Sequence, residues 1–387
     1  MRKIGCIIVA VCILLAAMPV SAAAPELDVA GKSAVLMDAA TGTVLYEKNA
    51  HQPLAPASVT KVMTMLLIME ALDSGRIGWD DGVTASESAA AKGGSQIYLK
   101  VGEVMTVRDM LKSVAVASAN DCACALAEHI AGSETAFVAR MNEKAAQLGM
   151  EHTHFVNCTG LDDDPNAAQH LTCAYDIALM SRELLVHHSK IKEFTTIWMD
   201  TVRDGTFGLA NTNKMVRFYP GCTGLKTGFT QKAGYCLSAS AQRDGMELIA
   251  VVMGAESSAQ RFAACKQMLD YGFANYALVS PQLQQSYGVN VELGTVGHVT
   301  AVPAEEPMLL IDRAQRGSVT TEVKLVEGVT APVSQGQKLG TLTIKCGQQV
   351  LAQVNMIAEC GVQRLTWGQI FLQIFRRAAM ARTTENG

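Results

Sequence analysis

The chain reads as an α+β domain, helices around an antiparallel sheet, followed by a small all-β domain. Three observations predict this. Between residues 62 and 184, breaker-free apolar or alanine-rich runs alternate with short polar breaks, the pattern of packed helices. Between 235 and 253, two apolar runs flank Gln242-Arg243-Asp244-Gly245, the pattern of neighbouring antiparallel strands. From residue 279 to the tail that begins at 361, the signal is of short β-type runs separated by glycines and prolines. The length of 387 residues exceeds the usual size of one compact unit and supports two domains.

Each element can be justified in order. Arg2 and Lys3 precede an apolar run over 4–18 and a string of small residues over 20–24, the pattern of a secretory signal peptide occupying 1–23. A retained anchor is the rival, but the run is short of the roughly 20 residues a span needs. The runs 33–37 and 43–46 flank Asp38-Ala39-Ala40-Thr41-Gly42 and predict a hairpin. Residues 62–72 are almost wholly apolar, too long for a typical strand, so they predict a buried helix with Ser58 at its N-terminus. The segment 107–131 predicts two helices interrupted at Ser118-Ala119-Asn120, and 134–148 and 174–184 predict two more. A closing helix over 259–271 completes a first domain over 24–277. Short strands at 289–293, 296–301, 308–311, 319–325, 338–344 and 350–357 make up a β-rich domain over 278–360. In the tail, 361–387, Trp367, Ile370, Phe371, Ile374, Phe375 and Ala378 recur at three- and four-residue steps opposite Gln369, Gln373, Arg376 and Arg377. That is an amphipathic helix suited to peripheral contact with a membrane surface, or to packing on the β domain.

Composition narrows the function. With 32 basic and 36 acidic residues the formal charge is −4, which gives no support for a nucleic-acid partner. Of 11 cysteines, Cys6 and Cys12 fall in the signal segment, and nine remain at irregular spacing. An odd number without a regular pattern is not a disulfide framework, although Cys158 and Cys173 could form one bridge. Cys122-x-Cys124 reads as a small buried pair, because the redox motif has two intervening residues.

Three short segments carry the chemistry: Ser58-Val59-Thr60-Lys61, Ser118-Ala119-Asn120 and Lys226-Thr227-Gly228. A serine hydroxyl is a poor nucleophile unless a base lies within hydrogen-bond reach. A spacing of three on a helix puts Lys61 on the face of Ser58. Desolvated there, its amine can titrate low enough to take the serine proton. Each segment alone is weak, since Ser-x-x-Lys arises by chance, Ser-x-Asn is common turn chemistry and Lys-Thr-Gly is an ordinary surface turn. Their occurrence together, in this order and behind a signal peptide, predicts a serine acyl-transfer site.

The same segments resemble the low-molecular-mass penicillin-binding proteins, the serine-type D-alanyl-D-alanine carboxypeptidases of peptidase family S11. Pro56-Ala57-Ser58-Val59-Thr60-Lys61-Val62-Met63-Thr64 is similar to the family's nucleophile segment. Ser118-Ala119-Asn120-Asp121 resembles its second motif, with alanine where glycine is usual. Asn211-Thr212-Asn213-Lys214 and Gly224-Leu225-Lys226-Thr227-Gly228-Phe229-Thr230 resemble its third region. Phe155-Val156-Asn157, Gly160-Leu161 and His170 follow its spacing, whereas Cys158-Thr159 and Asp162-Asp163-Asp164 depart from it.

The resemblance implies a β-lactamase/transpeptidase-like catalytic fold, a β-rich second domain and an amphipathic C-terminal anchor. It implies a peptidoglycan stem peptide as substrate, β-lactams as acylating inhibitors, no metal or organic cofactor, and work on the extracytoplasmic face of the cell membrane or in secreted form. It also implies catalytic roles for Ser58, Lys61, Ser118 and Asn120, and substrate binding by Lys226, Thr227, Gly228 and Phe229. The backbone N–H groups of Ser58 and Phe229 would form the oxyanion hole. A β-lactamase is the rival within the class, disfavoured by the absence of a class A glutamate-bearing loop motif and by the extra β domain. A silent wall-binding protein is disfavoured because all three motifs keep their reactive side chains. A transpeptidase differs only in the acceptor. His152 and His154 with Asp162 to Asp164 do not make a metal motif, lacking the tighter signature of zinc hydrolases, and His187-His188 reads as a solvated helix face.

Overall fold

A computed structural model describes residues 27–163, 165–281, 283, 287–372 and 374–375. The predicted signal segment, Asp164, Gln373, Arg376, Arg377 and Ala378 lie outside the described residues.

The framework is a five-stranded antiparallel sheet. Its strands are β1 (Ser33–Asp38), β2 (Val44–Lys48), β3 (Cys222–Thr230), β4 (Gly234–Arg243) and β5 (Met246–Ala255), in spatial order β2-β1-β5-β4-β3. The predicted turn between β4 and β5 narrows to Asp244-Gly245, both with positive φ (50° and 81°), as a tight primed turn requires.

Alternation along the strands gives the sheet two apolar faces. Val35 and Met37 of β1 and Ile249, Val251 and Met253 of β5 point to one core; Leu36, Leu248, Ala250 and Val252 point to the other. The second core is closed by the helix Ser258–Asn275, which packs Ala264, Cys265, Met268, Leu269 and Phe273 onto the sheet. The first core is built on α1 (Lys61–Asp73), flanked by α2 (Val107–Ala117), α3 (Asn120–Ala131), α4 (Glu134–Gln147) and α5 (Ala174–His187). Helix α1 is buried on nearly every side, as its unbroken apolar sequence predicts; each buried Val, Leu, Ile or Met contributes roughly 1.5–3 kcal/mol of transfer free energy.

The β-rich region has a core of its own, including Val289, Val299, Leu339, Leu342, Ile344 and Met356. Five of its strands are Tyr287–Glu292, His298–Pro303, Val319–Leu325, Lys338–Cys346 and Gln349–Ala358, joined by a short parallel strand, Gly328–Thr330, that sequence reading missed. The run predicted at 308–311 does form a strand, but Leu309–Asp312 pairs with Tyr276–Val279, just after the closing helix, and not with the six-stranded sheet. Alternation predicts that a strand forms and says nothing about its partner. Val362 and Arg364 still bridge to Val333 and Gly294.

Helical geometry follows over 367–372 and 374–375, with Trp367, Phe371, Leu372, Ile374 and Phe375 exposed. Among the described residues no helix is long and apolar enough to cross a membrane. Cys158 and Cys173 are both free thiols, so the bridge considered between them is not formed. Of the two adjacent histidines, His187 is exposed as expected, while His188 is turned inward onto the Asp73 carboxylate at 2.5 Å.

Candidate active site

Ser58 sits on a 3₁₀ turn, Ala57–Thr60, that leads into α1 at Lys61, rather than on the α-helix that the sequence predicts. The difference favours the chemistry. A 3₁₀ turn has three residues per turn, so side chains at i and i+3 eclipse. Lys61 Nζ accordingly stands 3.0 Å from Ser58 Oγ. The turn is entered through Ala57 at φ +48°, a left-handed conformation that costs an alanine on the order of 1–3 kcal/mol and recurs where geometry is held for function.

Lys61 is fully buried, and its ammonium also donates to the Thr159 carbonyl at 2.8 Å. Burial lowers its pKa to about 7, against a smaller opposing pull from Cys158 and Asp121. The Cys158 thiol is itself pushed far up, by Cys124, by burial and by the Glu134 charge, so it stays neutral and offsets little. Near neutrality Lys61 therefore exists in part as a free amine beside the serine.

The loop carrying Thr159 is fixed from several sides. Asn157 Oδ1 accepts from Gly160 N at 2.7 Å and from Thr159 N at 3.2 Å, and Thr64 Oγ1 donates to Cys158 O at 2.6 Å. Glu134, in an ion pair with Lys92 at 2.6 Å, accepts from Cys158 N at 3.2 Å. Gly160 has φ +80°, and a Cβ there would stand 1.8 Å from Ala57 O, so only glycine lets this loop lie against the nucleophile turn. His170 closes the arrangement. Val156 N–H donates to its Nδ1 at 3.1 Å, which leaves the proton on Nε2 to donate to Thr60 Oγ1 at 2.8 Å, and Thr60 in turn donates to Ala57 O at 2.8 Å.

The second motif lies between α2 and α3. Ser118 ends α2 in a left-handed conformation (φ 64°), and Asn120 opens α3. Asn120 Nδ2 donates to Gly93 O at 2.7 Å, while its buried Oδ1 has no hydrogen-bond partner and remains able to accept. The neighbouring Asp121 carboxylate accepts from Leu99 N (3.0 Å), Ile97 N (3.1 Å) and Cys122 N (2.9 Å), anchoring the 93–99 segment that holds Asn120.

The third motif lies on β3, an edge strand of the sheet with one side open to an added strand. Thr227 Oγ1 donates to Thr212 Oγ1 at 2.8 Å, and Thr212 N donates to Val116 O at 3.1 Å, which ties the end of α2 to β3. A Cβ on Gly228 would stand 3.0 Å from Ser58 N and 2.7 Å from Pro56 O. Glycine here is what lets the strand touch the serine turn. Phe229 is half exposed, its ring 4.3 Å from that of Tyr235.

Lys226 is buried and donates to Thr227 O at 2.8 Å; burial, then the charges of Lys61 and Arg261, push its pKa well down. The two lysines are thus close enough to repel one another, and an arriving anion would restore the charge on Lys226. Arg261, on the closing helix, is a residue that sequence reading missed. Its buried guanidinium donates to Gly228 O at 2.9 Å, and its Nε is unpartnered.

A partly exposed serine paired with a buried lysine beside an open strand edge, within helices packed on an antiparallel sheet, defines the class of serine acyl-transfer enzymes whose base is a lysine. The chain matches the D-alanyl-D-alanine carboxypeptidase family, peptidase S11, over residues 18–257, and the C-terminal domain of penicillin-binding protein 5 over 284–364. It is 45% identical over 340 residues to the D-alanyl-D-alanine carboxypeptidase DacF of Bacillus subtilis, covering 86% of each chain. Penicillin-binding protein 5 from Haemophilus influenzae superimposes with a TM-score of 0.74 at 29% identity, covering 87% of this chain and 99% of that one. Penicillin-binding protein D2 from Listeria monocytogenes, in its ampicillin-bound form, superimposes at 0.56 with 31% identity, covering 64% of this chain and all of that one. The chain belongs to peptidase family S11, the D-alanyl-D-alanine carboxypeptidases.

Proposed function

We propose that this protein hydrolyses the terminal D-Ala-D-Ala bond of peptidoglycan stem pentapeptides through an acyl-enzyme on Ser58, and that β-lactams acylate the same oxygen. The single observation that carries the reading is the 3.0 Å contact between Ser58 Oγ and a lysine amine lowered to about 7. Lys61 takes the hydroxyl proton as the oxygen attacks the carbonyl between the two D-alanines. Ser118 relays a proton to the leaving amine. Asn120 offers its unpartnered Oδ1 to the substrate amide or to Lys61.

The N–H groups of Ser58 and Phe229 stabilise the oxyanion, which develops only in the transition state. The substrate lies along the open edge of β3, as an added strand would, and its terminal carboxylate meets Lys226 and the Thr227 hydroxyl. Binding of that carboxylate draws a proton onto Lys226. Water then hydrolyses the ester and frees Ser58. The test is D-alanine release from a pentapeptide, set against amide formation with added amine: release alone supports the carboxypeptidase, and predominant amide product supports a transpeptidase.

The position of Gly228 supplies a sharp secondary prediction. Gly228→Ala is expected to slow penicillin acylation by about 10²-fold, the scale on which small misplacements of reacting groups act, and to lower the melting temperature, because the added Cβ would press on the Pro56 and Ser58 backbone. An unchanged acylation rate would show that β3 does not set the serine turn.

The same reading divides the chain into a signal peptide over 1–23, a catalytic domain over 24–277, a β-rich domain over 278–360 and a tail over 361–387. It places the mature protein outside the cytoplasm, held to the membrane surface by the tail helix. The exposed aromatic and aliphatic residues from Trp367 to Phe375 support that placement, since such a face is stabilised by entering the headgroup region. Truncation after Thr366 keeps the bonds that Gln363 and Val362 make with Thr295 and Val333. It is expected to move the protein from the membrane to the soluble fraction, and unaltered fractionation would refute the anchor.

A further inference from the structure

Three residues outside the cleft converge on one point. His51 follows β2, His152 lies in the turn after α4, and Cys173 caps the start of α5; one imidazole nitrogen or sulfur from each lies within 4.8 Å of the other two. The sequence places His154 near His152 without making a metal motif; the fold instead brings His51 and Cys173 to His152.

The backbones that carry the three are pinned independently. Leu54 and Thr172 exchange hydrogen bonds of 2.7 and 3.0 Å, as His154 and Leu171 do at 2.8 and 3.1 Å, and Tyr175 N donates to Ala50 O at 3.0 Å. His152 N donates to the Asp176 carboxylate at 2.9 Å. His152 Nδ1 is shut off from solvent and has no partner, an unfavourable state until something fills it. Cys173 is buried, which pushes its thiol up to about 12, so it gives up its proton only to a bound ion; its sulfur accepts from Asp176 N at 3.4 Å at the helix start. His51 is exposed and opens onto a groove of about 680 Å³ also lined by Glu47, Asn49 and Gln52, which gives an ion a route in.

We infer that His51, His152 and Cys173 form a binding site for a zinc-class divalent cation. Two imidazoles and a thiolate suit a borderline transition metal and not magnesium or calcium, and three protein ligands leave the fourth tetrahedral position to water. On binding, a metal–sulfur bond replaces the S–H bond of Cys173, and the proton leaves to solvent. The ion cross-links the β2 exit, the 152 turn and the start of α5. Cys173 lies three residues beyond His170, which contacts the serine turn, so the ion stiffens the segment behind the active site without entering it.

Cobalt(II), added to the chelator-treated full chain, is the direct probe. We expect a sulfur-to-cobalt charge-transfer band that saturates at a single ion per chain and is displaced by zinc. Cys173→Ser removes the band. His51→Ala, at an exposed position, weakens binding by about 10-fold or more while penicillin labelling proceeds at the unaltered rate. No band, or a band unchanged in His51→Ala and so owed to another thiol such as the exposed Cys360, would overturn the site.

Discussion

Ser58→Ala is expected to bring both D-alanine release and covalent labelling by penicillin down to background. Among the described residues no other hydroxyl is paired with a depressed lysine: Lys226 donates to a backbone carbonyl. Ser118, the next candidate, ends a helix one motif away, and its partner Asn120 is an amide that cannot act as a base near neutrality. The nucleophile has no substitute in the covalent route, so its loss removes nearly all of it; in a serine hydrolase such a loss is on the order of 10⁶-fold. Rate assays with the pentapeptide and gel labelling with a fluorescent penicillin check it together. Labelling that persists in the variant would transfer the nucleophile to another residue. The fold should survive, because the Ser58 side chain takes no part in the Thr60–Ala57–His170 contacts that shape the turn.

The second large effect belongs to Lys61. The reactive form is the free amine, so the acylation rate should rise with pH through about 7 and level off above it. Below that point the amine holds its proton and the rate falls tenfold per pH unit. Lys61→Ala should lower the rate by about 10²–10⁴-fold, the usual contribution of a general base, and abolish the ascending limb. Stopped-flow acylation across pH checks both. A limb that survives in Lys61→Ala would assign the titration to Lys226, whose amine is also depressed, by burial and by the charges of Lys61 and Arg261.

The sequence made the reacting groups legible and left the frame around them obscure. Ser58, Lys61, Asn120 and Lys226 could be named because acyl transfer needs a nucleophile, a base, an amide and a cation, and these residue types stand in ordered motifs. The helices of the first core were partly readable: residues 62–72 carry a long apolar run that only a buried helix accommodates, and 174–184 carry helix formers free of breakers, though α5 runs on to His187. The eclipsed 3₁₀ turn was not readable, because Ala57-Ser58-Val59-Thr60 has no local preference for it over an α-helix start. It is imposed by the Gly160 loop and by β3 pressing from either side. Arg261 was missed because an arginine in an amphipathic helix carries no signal of burial until the sheet beneath it is known. Glu134 and His170 act through backbone groups distant in sequence, and such contacts are set by the fold and not by motif. In the β-rich region the alternation gave most strands, yet Leu309–Asp312 paired elsewhere, since strand character does not encode a partner.

The measurement that bears most directly on the central claim is intact-mass analysis with peptide mapping, after rapid quenching of the reaction with a D-Ala-D-Ala-terminated pentapeptide. The account predicts a mass increase equal to the substrate less one D-alanine, located on the peptide containing Ser58 and appearing in step with free D-alanine. D-alanine released with no adduct at any time, or an adduct on a peptide lacking Ser58, would contradict it.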